Sequence, residues 1–574
     1  MTEQKVDPGA ATHVARPDLL DRAASWRDDD PDDVTSAELG ALIVASASGD
    51  AEAGAELADR FVGLLEFGTA GLRGRMGAGP NRMNRSVVIR AAAGLTAYLK
   101  ERSPEPLVVI GFDARHNSDV FALDTAAVVV AAGGRAMLLP RPLPTPLLAF
   151  AIRHLGADAG VMVTASHNPA VDNGYKVYLG DGSQIVPPSD AEIAAHIAQV
   201  LRVADVPRAA TGWTVLNDDV LQAYLDAAAA VVDPASARAL RVVHTAMHGV
   251  GTDVIQRAFA LAGFSPPVIV TSQSEPDPDF PTLVFPNPEE PGAIDAALAL
   301  AARVGADLVL ANDPDADRCA VAVPDPGAGT PDDPSGWRML RGDEVGWLLG
   351  AHILDRGADA DDVFANSIVS SRLLAALAAG AGIRHQETLT GFKWISRVGG
   401  LRFGYEEAIG YCVDPHRVAD KDGISAALML AELAAGLRAQ GRSLLDLLDD
   451  LAIAHGVHAT DSFAVRVDDL SVIGIVMSRL RHEPPTSIGG VPVARTDDLS
   501  LGSEQLPPTD GLRYHLQDES RVIVRPSGTE PKLKIYLEVI VPVEGRSALA
   551  EARSEARTRL DRVVTSMHGL TSAR

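Results

Sequence analysis

Short apolar runs alternate with longer stretches whose apolar residues recur at helical spacing, and this rhythm repeats three times along the chain before it changes. Leu107-Val-Val-Ile-Gly111 reads as a strand, followed by an Ala/Val-rich helix near 119–132 and the strand Ala136-Met-Leu-Leu139. Leu240-Arg-Val-Val-His-Thr245, a Gly249/Gly251 turn, a helix near 252–262 and Val268-Ile-Val270 form a second copy. Asp362-Val-Phe-Ala365 and the helix Arg372–Ala379 open a third. Continuous apolar runs bounded by turn signals mark strands covered on both faces, and the helical stretches between them supply the cover. In the tail the period changes to two: Phe463-Ala-Val-Arg-Val467, Leu512-Arg-Tyr-His-Leu516, Arg521-Val-Ile-Val524 and Lys534-Ile-Tyr-Leu-Glu-Val-Ile540 alternate like half-exposed strands, with a closing helix near 546–564.

Three strand–helix–strand copies predict three related α/β domains with mostly parallel, mixed sheets. The alternating tail predicts an α+β domain on a sheet with one open face. Pro187-Pro188 and the Pro-, Gly- and Asp-rich stretch from Pro324 to Pro334 punctuate the units. The expected division is an N-terminal extension and helix (1–60), α/β domains over 61–215, 216–335 and 336–452, and the α+β domain over 453–574. The acidic run Asp28 to Asp33 reads as solvated surface.

With 574 residues, 47% of them apolar, there is core material for several domains. Charge interrupts every Ala-rich stretch, so no membrane span is expected. The first residues lack a basic region followed by an apolar one, and the two cysteines, Cys319 and Cys412, make no disulfide framework; a cytoplasmic setting is expected. Fifty-one basic against 76 acidic residues, a net charge of −25, argue against a nucleic-acid partner. An anionic small molecule remains compatible, because its binding depends on the local field of a cleft. Lysine is scarce, and of the seven, Lys393, Lys421, Lys532 and Lys534 fall in the segments below and Lys176 in Asn173-Gly-Tyr-Lys176, just after the first of them.

Gly160-Val-Met-Val-Thr-Ala-Ser-His-Asn-Pro169 is a strand running into a polar turn, which sets Ser166 at the strand's carboxyl end, where open α/β sheets place ligands. A serine hydroxyl needs a base or a metal to act as a nucleophile, and His167 is adjacent. In Asn312-Asp-Pro-Asp-Ala-Asp-Arg318, three alternating acids could converge from an extended loop, and their repulsion calls for a cation. An EF-hand loop fails on spacing: counted from Asp313, position six is Arg318 in place of Gly and position twelve is Pro324 in place of Glu. Magnesium suits few protein ligands plus phosphate better. Thr388-Leu-Thr-Gly-Phe-Lys-Trp394, Phe403-Gly-Tyr-Glu-Glu-Ala-Ile-Gly410 and Asp420-Lys-Asp-Gly423 are polar loops in which a carboxylate such as Glu406 could grip vicinal hydroxyls. Arg525-Pro-Ser-Gly-Thr-Glu-Pro-Lys-Leu-Lys534 collects donors for a phosphate between two strands. Phe67-Gly-Thr-Ala-Gly-Leu-Arg-Gly74 and Gly111-Phe-Asp-Ala-Arg-His-Asn-Ser118 each offer an arginine, Arg73 and Arg115. Taken singly, the segments around Ser166, Glu406, Arg73 and Arg115 read equally as surface turns, whereas the buried strands flanking the aspartates and the surplus of donors in Arg525–Lys534 speak against that reading.

In order along the chain, Thr-Ala-Ser-His-Asn-Pro (164–169), Asp-Pro-Asp-Ala-Asp-Arg (313–318), Glu-Glu-Ala-Ile-Gly (406–410) and Arg-Pro-Ser-Gly-Thr-Glu-Pro (525–531) resemble the α-D-phosphohexomutase superfamily, the phosphoglucomutases and phosphomannomutases. The resemblance spans about 60–565, and its Glu-Glu-Ala-Ile-Gly-Tyr form is similar to a phosphoglucomutase-2-like branch that includes phosphopentomutase-like proteins. It implies four domains around a central cleft and a mutase moving phosphate between the 1- and 6-hydroxyls of glucose or mannose, with pentose phosphates as the alternative. Ser166 would carry the phosphoryl group. Asp313, Asp315, Asp317 and an oxygen on Ser166 would hold one Mg2+ per chain, and a sugar 1,6-bisphosphate would be intermediate and activator. Arg318 would lie near the phosphoserine. Glu406, with Thr390, Gly391 and Lys393, would bind sugar; Arg525, Ser527, Gly528, Thr529 and Arg73 would bind phosphate. His167, Lys176, Arg115 and Lys421 would be candidates for proton transfer. Many relatives have a serine where Ala408 stands, and some a histidine near Gly410 and Tyr411, which puts sugar choice in question. A phosphosugar is the expected partner, with neither nucleic acid nor membrane, for a monomer or homodimer. A serine-nucleophile phosphatase would need histidine-bearing metal sites that do not accompany the aspartates. A non-catalytic sensor would have lost the serine or the acids.

Overall fold

The structure is a computed structural model that describes residues 17–467, 470–527 and 532–572. Four sheets follow one another along the chain. In the first, Leu107–Phe112 is buried at every position and pairs in parallel with Arg135–Leu138 on one side and Ala159–Val163 on the other. Asp172–Leu179 then returns antiparallel to Ala159–Val163 and pairs with Leu72–Arg75. The second sheet repeats the plan. Val242–Thr245 pairs in parallel with Leu308–Ala311, which turns back as antiparallel Ala320–Pro324. In the third, Val363–Ser367 pairs in parallel with Arg384–Thr388 and Leu401–Glu406, and the latter returns as antiparallel Gly410–Cys412. The sheets are therefore mixed, and the antiparallel return is a common device: in each domain a parallel strand ends in a hairpin loop at its carboxyl end. Those three loops hold Ser166, the three aspartates and the Glu406–Gly410 segment.

The fourth sheet is antiparallel throughout, in the order Val457–Arg466, Lys532–Val541, Arg521–Pro526, Leu512–Leu516, Val491–Asp498, Ser487–Ile488. Helix Leu549–Thr571 covers one face through Leu549, Ala556, Leu560, Val563 and Met567. The opposite face, expected to be open, is partly covered. Ile523 packs with Ile368, Val369 and Leu389 of the third domain, which sets the strand Arg521–Pro526 against that domain.

One continuous apolar core joins the first three domains, through helices Thr145–Leu155, Gly251–Leu261, Gly342–Asp355 and Gly423–Ala439. Gly423–Ala439 is buried along almost its whole length. Its N-cap, Asp422, accepts from the Ile424 and Ser425 amides and from the Tyr224 hydroxyl (2.8 Å) of the second domain. At the amino end, Pro17–Asp29, Asp33–Ala47 and Ala51–Arg60 are helices packed on the first domain around Ala23, Leu39, Leu57 and Phe61. The acidic run between the first two helices is not idle surface. Asp32 caps the second helix, Asp29 accepts from the amides of Val203 (2.6 Å) and Ala204 (3.0 Å), and Asp30 accepts from Thr35 and Ser86. Cys319 and Cys412 are both buried and unpaired.

Candidate active site

Ser166 sits just past strand Ala159–Val163 with φ +52°, the left-handed region that β-carbons disfavour by about 1–2 kcal/mol. The loop around it is held from behind. Arg115 donates to the carbonyls of Ser166 (2.6 Å), Asn168 (2.5 Å), Pro169 (2.8 Å) and Asp172 (3.1 Å). Arg115 is itself fixed by Asp113 (3.4 Å) and by the ring of Phe280. Its guanidinium is thus committed to backbone oxygens, so the proton-transfer part expected of Arg115 does not match its geometry; it is a clamp. The Ser166 amide donates to Thr164 Oγ1 (2.8 Å), and its hydroxyl lies 2.9 Å from Asp313 Oδ2 and 3.2 Å from His167 Nδ1.

The three aspartates are fully buried, with ligand oxygens within 4.8 Å of one another. They converge by a turn, not by the extended loop expected. The Ala316 amide donates to the Asp313 carbonyl (2.9 Å), and Ala316 is left-handed (φ +54°). Pro314 packs on Gly249, where a β-carbon would come 2.3 Å from the Pro314 Cα. Burial, reinforced by Asp315 and Asp317, pushes the Asp313 carboxyl well above the usual range. Burial acts the same way on Asp315 and Asp317 but is outweighed, chiefly by Lys176, so both are held below it. The donor set fits a hard divalent cation: Asp315 Oδ1 and Asp317 Oδ1 are buried acceptors without a hydrogen-bond partner, and Ser166 Oγ completes an all-oxygen group.

A cationic shell surrounds these acids. Lys176 Nζ bonds Asp315 (2.7 Å) and Asp317 (3.0 Å), and Lys421 Nζ lies 3.2 Å from Asp317. Burial opposes the charge on both lysines, but the aspartates prevail and hold both above the ordinary lysine range. Arg318 stands 3.9–4.0 Å from Asp317 and Asp313 with a buried Nε that has no hydrogen-bond partner, and Arg73 donates to Asn168 Oδ1 (3.2 Å). The orphaned Arg318 Nε suits an anionic oxygen, and the orphaned carboxylate oxygens suit a cation. Burial, with Arg318 and Arg73 adding to it, keeps His167 well below its ordinary pKa.

The third domain adds Glu406, which accepts from the Gly391 amide (2.6 Å) and whose carboxyl burial pushes up. Thr390 and Gly391 form the turn before helix Phe392–Ile395, and Lys393 bonds Thr69 Oγ1 of the first domain. The loops are sewn together: Thr145 N donates to Asp315 O (2.9 Å), Cys319 N to Ile409 O (3.1 Å), and Arg318 and Gly410 form a β-bridge. Arg525 is close enough to Lys393 to act on its charge and bonds Tyr536, which brings the fourth domain to the same side. The Ser527 amide donates to Lys532 O (2.8 Å); Gly528 and Thr529 lie outside the described residues.

Three further residues at the site were not singled out by the sequence, two of them outside any motif. Thr145 donates to Asp315 Oδ2 (2.6 Å) from the first position of its helix, just after a Pro-rich turn. Glu289 reaches Arg318 at 3.9 Å. Glu407, beside Glu406, is held by Ser367 (3.0 Å) and Ser370 (2.9 Å). Only the doubled glutamate carried a local signal.

The fold and loop set are those of a phosphosugar mutase, an isomerase. The chain belongs to the phosphoglucomutase/phosphomannomutase family: residues 64–203, 222–327 and 341–453 match its alpha/beta/alpha domains I, II and III, and 487–556 its C-terminal domain. Among named relatives, the "probable phosphomannomutase" of Haemophilus influenzae is 48% identical over 462 residues, covering 79% of this chain and 93% of that protein. The phosphopentomutase of Homo sapiens is 34% identical over 587 residues, covering 91% and 92%. A solved phosphoglucomutase/phosphomannomutase family protein from Burkholderia thailandensis shares the fold with a TM-score of 0.65 at 20% identity, over 87% of this chain and 97% of that one. Among the described residues no helix is long and apolar enough to cross a membrane.

Proposed function

We propose that the chain interconverts hexose 1-phosphates and hexose 6-phosphates, glucose and mannose foremost, through a phosphoserine at Ser166 and a sugar 1,6-bisphosphate. The observation that carries this reading is the 2.9 Å approach of the Ser166 hydroxyl to Asp313, where three acids and four cationic side chains meet one nucleophile-sized group. Asp313, Asp315, Asp317 and the Ser166 oxygen would hold one Mg2+, which when bound neutralises charge on the serine-linked phosphate.

Phosphoryl transfer asks mainly for positioning and charge neutralisation. The 6-hydroxyl oxygen of a sugar 1-phosphate bonds phosphorus as the Ser166 Oγ–P bond breaks. The hydroxyl proton passes to His167 Nδ1 and from there to Ser166 Oγ, the atom 3.2 Å away. The resulting 1,6-bisphosphate turns end for end and returns its 1-phosphoryl group to Ser166. Arg318 and Arg73 flank the group in transfer, with Arg115 positioning the loop. Glu406, Thr390, Gly391 and Lys393 grip sugar hydroxyls. Arg525 and Ser527, with Gly528 and Thr529, hold the phosphate at rest. Lys176 and Lys421 serve here as fixed charges, not as bases.

Intact mass spectrometry after incubation with glucose 1,6-bisphosphate tests the central step. One added phosphoryl group is expected on the wild type and none on Ser166→Ala; labelling of the variant would sink the reading. A pentose phosphate is the second reading, favoured by the likeness to a phosphopentomutase and by Ala408 in place of a hydroxyl. Comparison of kcat/KM on glucose, mannose, ribose and deoxyribose 1-phosphates with Mg2+ separates the two. We place the enzyme in the cytoplasm, a setting that suits two unpaired cysteines.

A further inference from the structure

A cavity of about 390 Å3 lies between the N-terminal helices and the first domain, and none of its lining residues belongs to the loops of the active site. Three guanidiniums, Arg22, Arg90 and Arg202, line it with a single carboxylate, Asp29. In a chain of net charge −25 this is a local excess of positive charge, and the local field decides what binds. Asp29 is already engaged by the Val203 and Ala204 amides, and Arg202 Nε stands 3.7 Å from it. Arg22 donates to the Phe61 carbonyl (2.9 Å).

Arg90 is different. It rises from the middle of helix Arg85–Lys100, is only 9% exposed, and makes no hydrogen bond or ion pair with any described residue. Its Nε and the neighbouring Trp26 Nε1 are both buried donors without acceptors, and its guanidinium lies 5.6 Å from the Trp26 ring centroid. A buried unpaired charge and two orphaned donors weaken a fold. An apolar chain of the same length would pack there without that penalty. The one carboxylate of the cavity, Asp29, acts on Arg90 only through its charge, since its oxygens are taken by the Val203 and Ala204 amides; the cavity lacks an anionic acceptor free to hydrogen-bond Arg90 and Trp26. Its remaining walls are aromatic and aliphatic: Trp26 and Phe61 meet edge to face, and Leu64 and Leu201 are 48% and 83% exposed at its rim.

We propose that this cavity is a binding site for a small anion of the phosphate class carried on a planar or apolar body. Arg90 supplies the buried charge, Arg22 and Arg202 guard the mouth, and Trp26, Phe61 and Leu64 receive the body. Occupancy would brace the N-terminal helices against the first domain.

Phenyl phosphate and inorganic phosphate, titrated into the full-length protein by calorimetry and by thermal melting, are the probes. Phenyl phosphate is expected to raise Tm by several degrees and to bind at least tenfold more tightly than inorganic phosphate, because only it meets the apolar walls. Arg90→Met is expected to raise the Tm of the ligand-free protein and to abolish the ligand-induced shift. Leu64→Trp, which narrows the mouth, is expected to weaken binding with mutase activity unchanged. Arg525→Gln is expected to leave the shift intact. The proposal is overturned if Arg90→Met lowers the ligand-free Tm or prevents folding, which would make Arg90 a structural cation. Equal binding in Leu64→Trp, or loss of the shift in Arg525→Gln, would overturn it as well, the latter by placing the ligand in the catalytic cleft.

Discussion

Asp343 opens helix Gly342–Asp355 at 5% exposure, with Oδ1 accepting from the Ser371 amide and the Tyr405 hydroxyl, both at 2.8 Å. Burial, with Glu407 and Glu538 adding to it, pushes its pKa up to about 7 against the two hydrogen bonds. The unfolded carboxyl releases its proton near 3.8 while the folded one keeps it, so stability is fully present below the lower value and is lost as pH rises toward 7. At about 1.4 kcal/mol per unit, the loss across that window is on the order of 4 kcal/mol. Asp343→Asn keeps the acceptor and removes the ionisation. Its Tm should fall less than that of the wild type between pH 4 and pH 7 and exceed it at pH 8; parallel slopes in differential scanning calorimetry would exclude this role. At the same scale, Asp315→Asn removes charge from an orphaned metal-type oxygen and from the partner of Lys176. Calorimetric Mg2+ titration should show affinity falling by about tenfold or more, as expected when one hard anionic ligand is lost.

The aspartate loop shows what an element demands of its neighbours. Gly249 lies against Pro314 so closely that a β-carbon would meet Pro314 Cα at 2.3 Å and its carbonyl oxygen at 2.4 Å, both backbone atoms that cannot turn aside. Gly249→Ala should therefore move the aspartate turn as a unit, raising the Mg2+ concentration needed for half-maximal activity several-fold and lowering Tm; unchanged metal dependence would show that the turn tolerates the shift. Strands such as Leu107–Phe112 and Leu512–Leu516 were legible because burial there follows a local period. Asp172–Leu179 was not. Its Asn173 and Lys176 are polar yet buried, and their partners, the His116 carbonyl and Asp315 with Asp317, lie 57 to 141 residues away. The same limit hid the site's assembly. Ser166 and the acids were visible as types, but the Arg115 clamp and the Thr145 contact exist only once distant turns meet.

Across the whole molecule, the fourth domain is tied to the third by buried charge. Glu538 accepts from Arg372 Nε (2.7 Å) and Ser371 Oγ (2.7 Å), lies 3.0 Å from His458 Nδ1 and forms an ion pair with Arg521 (3.2 Å). Arg521, on the strand Arg521–Pro526, also donates to the carbonyls of Ile368 (3.0 Å) and Ser370 (2.5 Å), next to the serines that hold Glu407. Removing one member of a buried pair leaves the others uncompensated, at a cost of about 3–5 kcal/mol. Glu538→Gln should lower Tm by several degrees and raise KM for the sugar phosphate more than it lowers kcat, because the tie sets the loop's position and not the chemistry; a kcat effect alone would contradict that. The two thiols lead to a different consequence. Cys319 and Cys412 are 0% and 1% exposed, and burial pushes both well above the usual thiol range, so neither offers a reactive thiolate at neutral pH. The natural chain is thus blank to maleimide dyes. Cysteines introduced at Leu123 and Ile475, which are 42% and 63% exposed, would be its only labelled points, giving a fluorescence ruler between the first and last domains without first stripping the sequence of thiols.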